Sequence, residues 1–209
     1  MDNTEVKSNN KPLKFFQPFN ILVALSFFSP LIVACCITSL SFIFQNFKGL
    51  IYLGFLIGVA LLRELIYYAN KVKPMEDDNN ICNSIQYSKY GNGSFSSFVF
   101  AFTISYLSVP MITYKNSNFW YITSLISYFF IDIFIKLYEK CIVNMSSLLL
   151  NVLGGGVLGY LVVTLITWGG SSKYLFYNEQ TSNAEICTQP STQTFKCKVY
   201  KDGELVGSI

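Results

Sequence analysis

Two kinds of residue cluster in this chain have the types and spacing for chemistry. The first is a hydroxyl-rich turn, Ser88-Lys89-Tyr90-Gly91-Asn92-Gly93-Ser94-Phe95-Ser96-Ser97, which runs straight into Phe98-Val99-Phe100. Small residues at the mouth of an apolar helix leave backbone N–H groups at a positive dipole end, where a phosphate can sit. The plainer reading is a solvated turn capped by Ser94. A similar small-residue start, Ser147 to Asn151, precedes a later apolar run. The second kind is Asp132 with Lys136, four residues apart inside an apolar segment. Ionisable groups within a membrane are costly and are functional candidates by default. The favoured expectation is nevertheless an intrahelical ion pair, with Lys136 reaching up to the nearer interface.

One absence limits this chemistry. The chain has no histidine, which excludes histidine general acid–base catalysis, phosphohistidine intermediates and histidine-ligated metals. The six cysteines include no C-x-x-C pair, so no thiolate metal site is expected and no cofactor is implied. Cys35 and Cys36 lie in an apolar run and read as small hydrophobes. Cys187 and Cys197 lie in a polar tail and are expected to form a disulfide, the alternative being two free thiols.

The elements that must position these residues are membrane helices. Charged residues make up 13% of the 209, against about a quarter in soluble domains. The apolar residues fall in blocks of about twenty, enough to cross a hydrocarbon core of roughly 30 Å. The expected fold is an all-α polytopic membrane protein with about five transmembrane helices and a small β-rich C-terminal tail. Its parts are a polar, basic arm (1–18), a helical bundle (19–168) and an exoplasmic polar tail (169–209).

The expected helices run from Phe19 to Phe44 (kinked at Pro30), Leu50 to Asn70, Ser94 to Tyr114, Phe119 to Tyr138 and Leu148 to Trp168. In the last, Gly155 and Gly159 form a small-xxx-small pair, which implies close helix packing. Basic residues concentrate on one side: Lys7, Lys11, Lys14, Arg63, Lys71, Lys73, Lys89, Lys136 and Lys140, against Lys48 and Lys115 opposite. The positive-inside rule then places the N-terminus in the cytosol and the tail outside. The net charge of +3 is too dispersed for nucleic acid. Abundant Asn, Ile, Lys, Phe and Tyr suggest an AT-rich coding sequence, as in some protists and large DNA viruses.

Helix counting brings the two small-residue turns to one membrane face, and there the chain resembles a family. The motifs are those of the type 2 phosphatidic acid phosphatases, in the dolichyl-diphosphatase-like branch. Lys89-Tyr90-Gly91 followed by Gly93 to Phe98 is similar to the family's second motif. Asn151-Val152-Leu153-Gly154-Gly155-Gly156, with Ser147 four positions earlier, is similar to the end of its third. Lys73-Pro74 after Arg63 occupies the place of the first, so the resemblance runs from about Arg63 to Leu161.

The resemblance implies a phosphate pocket of Lys73, Lys89, Ser94, Phe95, Ser96, Lys140, Ser147 and Asn151. It also implies that the pocket is vestigial. Ser147 stands where the family has its nucleophilic histidine, Asn151 where it has the orienting aspartate, and Phe95 where it has the acid histidine. The third-motif arginine falls at Cys141, with Lys140 one place off. The expected protein is therefore not an enzyme but a structural or assembly component of a membrane complex. Its partners are membrane lipids and other membrane or assembly proteins, in an endoplasmic-reticulum-derived or virion membrane. The alternatives are a phospholipid headgroup binder or carrier, and a lipid phosphatase with another nucleophile.

Overall fold

The structure, a computed structural model, describes residues 18–74, 82, 85–114, 119–142, 144–176, 198–201 and 204–208. The N-terminal arm through residue 17 lies outside them, as do Cys187 and Cys197 with their expected disulfide. The chain divides into two units at Tyr177/Asn178. In the second unit, β1 (Lys198–Lys201) pairs antiparallel with β2 (Glu204–Ser208).

The first unit is helical: α1 (Pro18–Phe27), α2 (Ser29–Ile43), α3 (Lys48–Ala69), α4 (Asn92–Thr113), α5 (Phe119–Tyr138) and α6 (Met145–Trp168). Four of them, α3 to α6, are long and apolar enough to cross a membrane, and α1 with α2 make a fifth if the bent pair is one span. The expected kink at Pro30 is a full break, with the two segments 73° apart. Phe28 separates them and Pro30 lies in the first turn of α2. Proline has no N–H to bond the carbonyl four residues back, and its ring crowds that carbonyl, so the ladder stops there. At the break the Leu25 carbonyl accepts a hydrogen bond from the Tyr128 hydroxyl of α5 at 2.8 Å.

The centre of the bundle is α4. Within its span 61% of the residues are buried, against 17–28% for the other three long helices, which therefore turn most of their surface outward. Its sequence explains this, because Ser, Ala, Thr and Phe surround the whole helix and leave no polar stripe for water. The core around it joins Val33 and Ile37 of α2, Tyr52 and Leu56 of α3, and Val162 and Val163 of α6.

The α4–α6 contact is the most extensive in the fold. It depends on the small-xxx-small pair: a Cβ at Gly155 would collide with the Phe98 carbonyl oxygen, and one at Gly159 would lie 2.6 Å from the Phe102 carbonyl oxygen. The bundle also extends past residue 168, where the expected tail begins. The chain turns through Ser172–Tyr174 and buries Leu175 and Phe176 in the same core.

The segment before α4 and the link before α6 share one face, and a disulfide between Cys82 and Cys141 joins them, with Cα atoms 5.5 Å apart. Both cysteines are buried and pack against Phe27, the last residue of α1.

Candidate functional site

Asp132 is fully buried and is the acceptor for side chains from three other helices. Its Oδ1 accepts from Ser26 of α1 at 2.9 Å and from Ser29 of α2 at 2.7 Å. Its Oδ2 accepts from Ser96 of α4 at 2.8 Å. One turn along α5, the Lys136 Nζ lies 2.9 Å from Oδ1 and 3.1 Å from Oδ2 and also donates to the Ser96 hydroxyl.

The expected pair thus forms within α5, but Lys136 does not extend to the interface. It is only 3% exposed. Ser96 and Asp132 supply inside the bundle the acceptors that water would have offered outside it. The break between α1 and α2 brings Ser26 and Ser29 to the same carboxylate from two helix segments. A charged pair out of water is tolerated when its remaining lone pairs and protons are hydrogen-bonded, which is the arrangement here.

A second cluster forms around Arg63 of α3, which is 4% exposed. Its Nε donates to the Asn151 Oδ1 of α6 at 2.7 Å. Its Nη1 donates to Glu64 at 2.7 Å and to the Ser88 hydroxyl at 3.0 Å, and Ser88 donates on to Glu64 at 2.6 Å. Asn151 Nδ2 is held by the Ser147 carbonyl at 2.7 Å and lies 3.2 Å from the Tyr67 hydroxyl. The guanidinium stacks over the rings of Tyr67 and Phe95, 4.7 and 5.4 Å from their centres. Its Nη2 is buried and has no hydrogen-bond partner among the described residues.

The eight residues expected to share one phosphate pocket are therefore divided. Ser96 belongs to the Asp132 cluster, while Phe95, Ser147 and Asn151 belong to the Arg63 cluster. Ser94 does not cap α4: the helix starts two residues earlier, at Asn92, and Ser94 donates to the Gly91 carbonyl at 3.1 Å. Gly91 precedes the helix at φ +100°, a conformation glycine adopts without a Cβ clash. Asn92 ties the preceding segment down, accepting from the Tyr87 N–H at 2.9 Å and donating to the Cys82 carbonyl at 2.9 Å and to the Ile85 carbonyl. The start of α4 is closed off by protein, since a Cβ at Gly93 would collide with the Cys141 carbonyl. Lys73, Lys89 and Lys140 are exposed, and among the described residues no hydrogen bond or ion pair joins them to either cluster.

Arg63 and the Cys82–Cys141 bond are the elements missing from the expected site. Arg63 was detectable as the lone arginine and an ionisable residue in an apolar run. The two cysteines lie in segments that helix counting assigns to one face. The Tyr87 hydroxyl, in the segment before α4, is buried without a partner among the described residues, and burial pushes its phenol above the usual range. Among the described residues no cluster of Cys, Asp and Glu could hold a metal ion.

Arg63→Lys is expected to lower stability by about 1–3 kcal/mol, because lysine cannot reproduce the Nε bond to Asn151, the Nη1 bonds and the ring stacking together. Thermal unfolding in detergent measures it, and an unchanged midpoint would mean that the cluster is incidental to the fold.

This helical bundle encloses a carboxylate, an ammonium and a guanidinium between helices of which four to five are long and apolar enough to cross a membrane, which is compatible with an integral membrane location. No protein-family model, curated protein or solved structure matches the chain.

Proposed function

We propose that this chain is a non-catalytic integral membrane protein, a structural or assembly component of a membrane complex, on a degenerate lipid-phosphatase-like scaffold. The observation that carries the reading is the Asp132 carboxylate, whose hydrogen-bonding capacity is taken up by Ser26, Ser29, Ser96 and Lys136. Those hydroxyls and that amine join four helices to one another.

A serine beside a lysine can act as a nucleophile and base when the amine is free to accept a proton. Here Lys136 donates to both Asp132 oxygens and to Ser96, whose own proton goes to Asp132. This argues against a non-histidine phosphatase. Ser147 and Asn151, which stand in the family's nucleophile and orienter positions, support the fold around Arg63 instead.

The second reading, a phospholipid headgroup binder, is favoured by one observation: the Arg63 Nη2 is buried without a partner among the described residues. Exposed Lys73, Lys89 and Lys140 would supply the outer cations for a phosphate.

The orientation proposed for the chain has the N-terminus cytosolic and the tail exoplasmic, in an endoplasmic-reticulum-derived or virion membrane. The basic residues of the first face support it. The disulfide on that same face argues the other way, because stable disulfides belong to oxidising compartments. The charge asymmetry is the stronger signal, since it rests on many residues, although buried Arg63 and Lys136 no longer count toward it. Protection of the tail from added protease in sealed membranes is expected. Cleavage of the tail in intact cytosol-side-out vesicles would reverse the orientation.

The deciding experiment is purification of the full-length protein in mild detergent with native lipids. The expected result is a particle well above the 23.7 kDa of one chain plus its detergent, with only background phosphate release from diphosphate lipids. A monomer that retains phospholipid, and loses it on Lys89→Ala/Lys140→Ala substitution, supports the headgroup reading instead. Turnover above background would end the non-catalytic reading.

A further inference from the structure

Beside Lys136 lies a small, partly open pocket of about 10 Å³, room for one water molecule. Lys136, Tyr87, Asn92 and Gly93 line it together with Phe27, Pro30 and Cys82. The Tyr87 hydroxyl is buried and, among the described residues, has no hydrogen-bond partner. One wall of the pocket is therefore half of the Cys82–Cys141 disulfide, and another is the last residue of α1 before its break.

The bond joins two connecting segments 59 residues apart in sequence. Phe27 packs against both cysteines, one residue from Phe28, where the ladder of the first span is interrupted. Ser26 and Ser29, on either side of that break, hold Asp132. The disulfide, the break and the buried ion pair are thus one contiguous structure.

We propose that the Cys82–Cys141 disulfide is a redox latch beside Lys136, and that cleaving it widens the pocket and admits water to the buried Asp132–Lys136 pair. The reductant is a dithiol. It is oxidised to its own disulfide, and its two electrons and two protons pass to Cys82 and Cys141, which become thiols. With the bond gone, the Cys82 wall loses its covalent tie to the link before α6 and, among the described residues, keeps the hydrogen bond that its carbonyl accepts from Asn92 and a long contact of its sulfur with the Glu139 carbonyl. The physiological setting rests on the cytosolic orientation proposed above. There a disulfide meets dithiol reductants, and cytosolic disulfides are characteristically transient or redox-sensing.

The test uses the full-length protein in lipid nanodiscs, which makes it independent of orientation and of any partner. N-acetoxysuccinimide acetylates accessible amines, and peptide mass spectrometry reads each lysine with the disulfide intact and after dithiothreitol. Acetylation of Lys136 is expected to rise roughly tenfold or more on reduction, since its access is limited by local opening. Exposed Lys173, beyond α6, is expected to label equally in both states. A Cys82→Ser/Cys141→Ser variant is expected to label rapidly at Lys136 without reductant.

Three results would overturn the proposal. One is unchanged Lys136 labelling after cleavage verified by mass. Another is failure of the bond to form under mild oxidation. The third is loss of hydrogen-exchange protection across α4 and α6 on reduction, which would make the bond a staple for the whole bundle.

Discussion

Asp132→Ala is expected to destabilise the protein more than any other single side-chain truncation in the bundle, by about 3–5 kcal/mol. The substitution leaves the Lys136 ammonium, 3% exposed, without its carboxylate. It also takes the carboxylate acceptor from Ser26, Ser29 and Ser96, leaving Ser26 and Ser96 with longer bonds of 3.3 Å to the Asp132 and Gly93 backbone carbonyls. Most of the loss comes from the uncompensated charge, and this makes a sharper test available. Removing the charge as well, in Asp132→Ala/Lys136→Met, is expected to recover the larger part of the stability, because an apolar pair of similar bulk often replaces a buried ion pair at little cost. Unfolding midpoints of the wild type, both single variants and the double variant, in one detergent, close the cycle. Additive losses would show that the two side chains do not depend on one another, and the clasp would then lose its place as the organising contact.

Gly155→Ala is expected to cost about 1–3 kcal/mol, the range for forcing extra atoms into a packed interface. The new methyl would meet the Phe98 backbone carbonyl, which cannot swing aside as a flexible side chain would. Its neighbour provides the control. A Cβ at Gly154 meets nothing within 4 Å, so Gly154→Ala is expected to be neutral or to stabilise by up to about 1 kcal/mol through helix propensity alone. The pair of unfolding midpoints separates packing from propensity, since both substitutions add one methyl to the same helix. Equal effects at the two positions would contradict the α4–α6 contact as described.

The two substitutions probe different supports of one arrangement. The glycines let α4 and α6 approach along their backbones, which brings Asn151 toward Arg63 and sets the start of α4 against Cys141. The clasp then ties α1, α2 and α5 onto α4 through Ser96. The charged residues buried in this bundle sit where helices meet, and the outward face of α3 is apolar, while that of α5 also carries Thr123, Ser124 and Ser127.

Much of the helical architecture was legible in the chain, for a simple reason. In a bilayer each spanning segment must satisfy its own backbone hydrogen bonds and must be apolar for about twenty residues, so composition alone marks it. Phe119 to Tyr138 agrees with α5 residue for residue, and the other long helices differ from expectation by a few residues at their ends. The Gly155/Gly159 signal was local too, because a missing side chain can be read without knowing what fills its place. The break at Phe28 was half visible: Pro30 announced a defect, but that the serines on its two sides meet Asp132 of α5 could not be read locally.

What the sequence determined by itself is the class of protein, the segments that can cross a membrane and the chemistry excluded by the lack of histidine. Each follows from residue type within a window of about twenty positions. The tertiary structure decided which polar residues meet. Ser94 and Ser96 are neighbours in the turn, yet one donates to a local carbonyl and the other to a carboxylate on α5. Phe95, between them, packs under Arg63 of α3. Consecutive residues on a helix point about 100° apart, so one short stretch serves three different neighbours. The partner of each is fixed by which helix lies on that side. Local pattern cannot specify that, because packing of one helix against another joins residues distant in sequence, as it joins Ser26 to Asp132 and Cys82 to Cys141.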